Sequence, residues 1–156
     1  MTDERIDDDL FAALRRLPPG SGIVFRHLRT PRAERDALLR RVRRIAVARR
    51  LKLTVVDASR DSPAHGGPRA VSAPAHTRRE AIAGARAGAV YLFVSPINPT
   101  RTHPGARALG LRRAMPITRG LRVSTVALGG MSERRWRPVA RYGFDGWAAI
   151  DAWLVR

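Results

Sequence analysis

A five-residue apolar run, Val90-Tyr91-Leu92-Phe93-Val94, leads directly into a segment carrying three prolines, Pro96, Pro99 and Pro104. An apolar run without alternation reads as a strand covered on both faces, as strands of parallel sheets are. Proline lacks a backbone N–H and holds φ near one value, so the segment after the run can be neither helix nor paired strand. Thr100, Arg101, Thr102 and His103 are thereby confined to a constrained loop at a strand end. Hydroxyl, guanidinium and imidazole groups together form a donor set suited to phosphate. A plain surface turn behind a core strand would use the same residue types, so both readings stand at this point.

The chain around this stretch alternates strands with helices. Leu10, Phe11, Leu14 and Leu17 have the spacing of a short amphipathic helix behind the acids Asp7 to Asp9, and Pro18-Pro19-Gly20 stops it. Gly22 to Leu28 reads as a strand that delivers Arg26 and His27 at its end. Thr30 is placed to cap the next helix, with Pro31 at the first helical position and Leu38, Val42, Ile45 and Ala46 as the apolar stripe. Leu51 to Ala58 is the following strand and carries Asp57 near its end. Strand, helix and strand in this order make a βαβ unit, the building block of parallel sheets.

Residues 60–69 read as a loop too short for a crossover helix, with a short strand at Ala70 to Ala73. His65, within this Gly/Pro-rich loop, is expected at the surface. Thr77-x-x-Glu80 is a capping box that opens a helix running to Ala87, with Gly88 as its stop. Beyond the proline loop, a short helix is expected over residues 106–115, a buried strand over 122–128 and a helix capped by Ser132 that Pro138 kinks or splits. A short strand over 144–147 and a closing helix over 148–154 complete the chain. Trp136, Trp147 and Trp153 fit packing positions, and Asp145 and Asp151 are expected to pair with nearby arginines.

Charge bears on the class of partner. The chain has 156 residues and a formal net charge of +17, and Lys52 is the one lysine among its 30 basic residues. A nucleic-acid binder usually interleaves aromatics with a compact basic stripe. Here arginines are spread along the whole chain and aromatics make up 6% of it, so nucleic acid is not expected as the partner. No cysteine occurs, which excludes disulfides and thiolate chemistry. No apolar run approaches membrane-spanning length, and the acidic N-terminal stretch is unlike a signal peptide. A soluble, cytoplasmic chain is expected, a single domain over residues 1–156.

Gly129-Gly130 lies between the strand at 122–128 and the helix after Ser132. Two glycines there leave bare backbone N–H groups to point at an anion. Together with Thr100 and Thr102 they favour a phosphate site.

The run Val94-Ser95-Pro96-Ile97-Asn98-Pro99-Thr100-Arg101-Thr102-His103-Pro104-Gly105, followed by Val126-Ala127-Leu128-Gly129-Gly130-Met131, resembles the thiamine monophosphate synthase/TenI family. Met1-Thr2-Asp3 is similar to the end of that family's first strand, Phe25-Arg26 to its Gln-Leu-Arg, and Gly143-Phe144-Asp145-Gly146 to the approach to its eighth strand. The resemblance implies a (β/α)8 TIM-type barrel, compact and with trimmed helices around strands 3–5. It implies coupling of hydroxymethylpyrimidine pyrophosphate to a thiazole phosphate with release of pyrophosphate, assisted by Mg2+. Carried over, Arg26, Thr100 and Thr102 are the candidate catalytic residues. Gly129 and Gly130 would hold the thiazole phosphate, and Ser95, Arg101, His103 and His76 fall in the matching segments as phosphate-binding candidates. Asp57 is the candidate metal ligand.

Departures accompany the resemblance. The family's lysine two residues after the strand-two arginine is Leu28 here, and the lysine after the threonine pair is His103. The segment that supplies the family's second metal carboxylate is Ala64-His65-Gly66-Gly67-Pro68, which holds no acid. The tautomerase branch places a histidine where Ser95-Pro96 stands, so tautomerase is not favoured. A synthase is the favoured reading. The alternatives are a non-catalytic or regulatory relative that binds phosphorylated ligands through the Thr100/Thr102 and Gly129/Gly130 loops, and an arginine-rich nucleic-acid binder. A homodimer is left open.

Overall fold

The structure is a computed structural model that describes residues 1–6, 9–57, 63–67, 69–100, 105 and 107–154. It divides into two compact units, Met1–Pro63 with Ile150–Arg156, and Ala64–Ala149.

The first unit is a βαβ unit with a leading helix. Helix α1 (Leu10–Arg16) buries Leu10, Ala13 and Leu14. Strand β1 (Gly22–Phe25) and strand β2 (Lys52–Val56) pair in parallel, in register from Gly22↔Lys52 to Phe25↔Val55. Helix α2 (Arg32–Ala48) is the crossover, with Val42 and Ala46 buried as the apolar spacing predicts. It starts behind Pro31 rather than under a Thr30 cap: Pro31 occupies the N-cap and no side-chain cap bond forms. Ile6, Leu10, Leu14, Ile23, Phe25, Val42, Leu51 and Val55 share one core. The arginine-rich face of α2 is not purely solvated, since the Arg41 guanidinium stacks 4.1 Å from the Phe11 ring centroid. Met1 to Asp3 form no strand. Thr2 nevertheless donates its N–H to the Val24 carbonyl (2.8 Å), and its Oγ1 accepts the Arg26 N–H (3.0 Å).

Arg35 ties the two strand ends to the crossover helix. Its Nε donates to the His27 carbonyl at 2.8 Å and its Nη2 to the Val56 carbonyl at 2.6 Å. These carbonyls lie just past β1 and at the end of β2, where ladder pairing stops and a polar partner must be found elsewhere.

The second unit contains β3 (Ala64–His65), β4 (Ser72–Ala75), β5 (Tyr91–Val94), β6 (Ser124–Leu128) and β7 (Gly146–Ala148). They lie side by side in chain order and every pair is parallel. Helices α3 (Arg78–Arg86), α4 (Gly110–Thr118) and α5 (Glu133–Val139) join the last four strands. The core includes Ala75, Ala81, Leu92, Val94, Ile97, Ala114, Ile117 and Ala127, with Trp136 and Trp147 packed against it. Helix α3 lies flat on the sheet because Gly84 has no side chain: a Cβ there would come within 2.9 Å of Leu92 Cδ2 and 3.1 Å of Ala73 Cβ.

Strands β3 and β4 pair in parallel without a helix between them, across residues 66–71 alone. Parallel connections ordinarily need a dozen or more residues. Strand β3 is two residues long, so the chain has only about 7 Å to climb back. Gly66 (φ +78°) and Gly67 (φ +84°) supply the turn. The same shortness explains Pro74 within β4. The pairing with β3 reaches only His65↔Ser72, so proline's missing N–H falls beyond the end of the neighbour.

Several boundaries differ from expectation. The strand expected at Ala70 is β4, beginning at Ser72; the helix expected over 106–115 is α4, beginning at Gly110 and containing Pro116. The closing helix is only a 3-10 turn, Asp151–Trp153. Helix α5 runs through Pro138 to Val139 and ends in a 3-10 turn, Ala140–Tyr142. His65 is buried, not at the surface: strand pairing carries it inward, its Nδ1 sits 2.9 Å from Ser72 Oγ, and its ring meets Phe93 edge-on at 5.3 Å. Asp151 lies near Arg5 at 3.9 Å, as expected. Asp145 instead accepts the Thr125 N–H at 2.7 Å, while its own N–H binds the Thr125 carbonyl at 2.8 Å.

Candidate functional site at the carboxyl ends of the strands

In the second unit three consecutive strands deliver polar groups at their carboxyl ends. Strand β4 leads into His76, β5 into Ser95 and β6 into Gly129-Gly130. In parallel α/β folds this is the end where the loops gather and ligands bind.

The proline loop is laced to β6. Ile97 donates to the Leu128 carbonyl (2.8 Å) and Asn98 to the Gly129 carbonyl (3.1 Å), continuing the β5–β6 pairing past the strand ends. Leu109 and Gly110 return to the Pro96 and Ile97 carbonyls at 2.8 and 3.1 Å, which closes the loop at its base. The Ser95–Pro96 peptide is cis. Ile97 is 3% exposed and anchors the loop in the core.

The two glycines are required by this lacing. Gly129 has φ +94°, and a Cβ on it would stand 2.7 Å from Pro96 Cα. Gly130 has φ +57°, and a Cβ on it would meet the Pro99 carbonyl and Asn98 Cβ. Any side chain at either position collides with the loop backbone. Asn98 also donates its side-chain amide to Met131 Sδ at 3.4 Å. The Gly130 carbonyl accepts from Arg135 Nη1 at 2.5 Å.

His76 and Ser95 meet across β4 and β5. His76 Nδ1 is 2.7 Å from the Ser95 carbonyl oxygen and 3.3 Å from Ser95 Oγ. One half of the capping box behind His76 forms as expected, with Thr77 Oγ1 accepting the Glu80 N–H, whereas Glu80 Oε2 reaches past the cap and accepts the His76 N–H at 2.7 Å.

Of the residues singled out in the sequence, Ser95, His76, Gly129 and Gly130 thus lie at adjoining strand ends of one unit. Thr100 follows in the same loop and is half-buried. Arg101, Thr102 and His103 lie outside the described residues. Arg26 and Asp57 stand in the first unit, just past β1 and β2; Asp57 is exposed, in a left-handed conformation (φ +55°). Asn98 and Arg135 were not singled out by sequence. The Ser132 cap, which places Arg135 in the first turn of α5, is the one signal that pointed toward Arg135.

Among the described residues, no three His, Cys, Asp or Glu side chains group as a metal cluster. Nor does any helix there have the length and apolarity to cross a membrane.

A parallel α/β chain with its polar groups at the carboxyl strand ends is the class this geometry defines. The family model described as thiamine monophosphate synthase matches residues 53–153, and the chain belongs to that family. Thiamine-phosphate synthase of Pyrococcus furiosus is 33% identical over 82 residues, which cover 53% of this chain and 40% of the relative. The Chloroflexus aurantiacus thiamine-phosphate synthase is 37% identical over 87 residues, covering 55% and 40%. The aligned stretch thus spans about two fifths of each curated relative. Thiamine phosphate pyrophosphorylase from Pyrococcus furiosus has the same fold, with a TM-score of 0.80 at 24% identity over 97% of this chain and 83% of that one.

Proposed function

We propose that the chain acts as a thiamine phosphate synthase, a transferase that joins hydroxymethylpyrimidine pyrophosphate to a thiazole phosphate and releases pyrophosphate. One observation carries the reading: within the family-matched residues, the Gly129-Gly130 turn packs against the loop of Ser95 to Thr100 so closely that only bare backbone fits. Such a turn suits a compact, multiply charged phosphate better than a bulky apolar ligand.

The thiazole nitrogen attacks the pyrimidine methylene carbon as pyrophosphate departs, so charge builds on the leaving oxygens. Preorganised donors at that position lower the barrier. Among the described residues of the second unit, the Ser95 and Thr100 hydroxyls and the glycine backbone are candidate donors. His76 has Nδ1 committed to the Ser95 carbonyl, so its Nε2 is the nitrogen left for a ligand. Asp57 is an exposed carboxylate that belongs to no group of three or more His, Cys, Asp or Glu side chains among the described residues, a donor that fits Mg2+ held mainly by substrate phosphates and water. Bound Mg2+ would offset the pyrophosphate charge. Arg26 is the candidate cation of the first unit.

The reading extends to the closed (β/α)8 barrel of the family and to a cytoplasmic site of action. The chain-order, all-parallel strands of the second unit support the barrel. The test is a coupling assay with both precursors and Mg2+, following thiamine phosphate, with Asp57→Ala and Thr100→Ala alongside. Product lost in both variants supports the synthase. No product from wild type, with thiazole phosphate still bound, replaces it with a binding protein that lacks the chemistry.

A further inference from the structure

We infer that Arg35 is a positioning residue: one edge of its guanidinium sets the spacing between the backbone segments that carry Arg26 and Asp57, and through Asp57 the hold on Mg2+. The inference deepens the synthase reading, on which the roles of Arg26 and Asp57 rest.

The β1–β2 ladder ends at the pair Phe25↔Val55. Arg26 follows directly on one side of that pair, and Asp57 is the second residue past it on the other. Beyond the last rung, ladder pairing no longer fixes how far apart the two segments stand. Arg35 takes over there, with Nε donating to the His27 carbonyl and Nη2 to the Val56 carbonyl. These two nitrogens share one edge of a planar group, so the two carbonyls are held side by side in a rigid fork. His27 is joined directly to Arg26, and the Val56 carbonyl belongs to the peptide that leads into Asp57.

The clamp is itself held in place. The guanidinium lies 5.4 Å from the Phe25 ring centroid, and Phe25 is fully buried and stacks on the His27 ring at 4.8 Å. Asp57 supplies an independent observation. Its φ of +55° is uncommon for a residue other than glycine and persists where the surroundings impose it. The chain therefore leaves the strand direction at the candidate metal ligand, immediately after the peptide that Arg35 binds. A carboxylate on a backbone fixed in this way is oriented before any ion arrives, as the supporting shell of a metal site requires. Arg40, on the same helix, is exposed and makes neither bond.

The experiment measures pyrophosphate binding by calorimetry with and without Mg2+, and reads the ratio of the two affinities in wild type, Arg35→Met, Arg35→Lys, Arg40→Met and Asp57→Asn. Wild type is expected to bind more tightly with Mg2+, and Asp57→Asn to lose that enhancement. Arg35→Met is expected to lower it roughly 10-fold, the usual cost of removing a group that orients a metal ligand. Arg40→Met, which removes the same charge from the same helix, keeps the wild-type ratio. Arg35→Lys, with the charge and one bond at a time, falls between and carries the test if Arg35→Met does not fold. Thiazole phosphate is the control ligand, and its affinity stays unchanged throughout. Full enhancement in folded Arg35→Met or Arg35→Lys overturns the inference, as does full enhancement in Asp57→Asn or none in wild type. Equal loss of thiazole phosphate in a folded Arg35 variant overturns it too, since that is general damage. The synthase reading fails separately: an Arg35-dependent Mg2+ enhancement without thiamine phosphate in the coupling assay removes the reaction and keeps the clamp. Thiamine phosphate formed by Arg35→Met at an unaltered Mg2+ requirement removes the clamp and keeps the reaction.

Discussion

His76 Nδ1 lies 2.7 Å from the carbonyl oxygen of Ser95. A carbonyl only accepts, so Nδ1 carries a proton and donates it, and Nε2 is the ring nitrogen outside this bond. The Ser95 hydroxyl, 3.3 Å from the same nitrogen, cannot donate to it and keeps its proton for another partner. Two loops from neighbouring strands thus fix each other's hydrogen-bonding state.

His76→Asn is expected to be tolerated better than His76→Ala. The asparagine amide N–H can replace Nδ1 as donor to Ser95, whereas alanine leaves the carbonyl without that bond, at about 1 kcal/mol. Urea unfolding of the two variants measures the gap, and equal stabilities would show that the His76–Ser95 bond contributes nothing.

Gly129→Ala is expected to destabilise by about 2–4 kcal/mol, combining positive-φ strain with a clash against Pro96. Gly143→Ala is the control: its φ is +81° and a Cβ there meets nothing within 4 Å, so only strain is added, about 1 kcal/mol. If the two variants unfold at the same temperature, close approach is not what requires Gly129.

Arg35→Met removes donors from the His27 and Val56 carbonyls together and is expected to cost about 2–4 kcal/mol. Arg35→Lys, which reaches one carbonyl at a time, should lose roughly half of that. Hydrogen exchange at the ends of β1 and β2 reads the same effect locally.

Asp3 gives a pH dependence with a definite sign. Burial alone would raise its carboxyl, but hydrogen bonds from the Arg5 side chain (2.7 Å) and backbone (3.1 Å) outweigh it and hold the pKa below the ordinary aspartate value. A depressed folded pKa contributes stability above the unfolded value, lost as pH falls through the folded one. Asp3→Asn should therefore be less stable than wild type by about 1 kcal/mol at neutral pH, with the difference closing below about pH 4. A gap that does not narrow at all as pH falls below about 4 would point to packing in place of charge.

Much of this was legible in the residues. The apolar run at Val90–Val94, the Thr77–Glu80 box, the Ser132 cap and the βαβ unit around α2 all rest on local chemistry, and the elements formed where that chemistry put them, within a few residues. The motif from Ser95 to Gly130 pointed to the family before any coordinates did, because its prolines and glycines constrain the backbone wherever the rest of the chain lies. His65 was misread because a Gly/Pro-rich setting says nothing about a two-residue strand, whose pairing depends on Ser72 seven residues on.

Local sequence could settle which segments pair, turn and cap, since propensity, capping and proline geometry act over a few residues. It could not settle which side chains meet across strands. Why Gly129 must be glycine depends on Pro96, 33 positions earlier; the tautomer of His76 depends on Ser95; and the direction of Arg135 depends on the Gly130 carbonyl. Each is a contact of an ångström or two in tolerance between residues brought together only when the sheet forms. Packing of parallel strands in register decides such contacts, and periodicity along the chain carries no record of them.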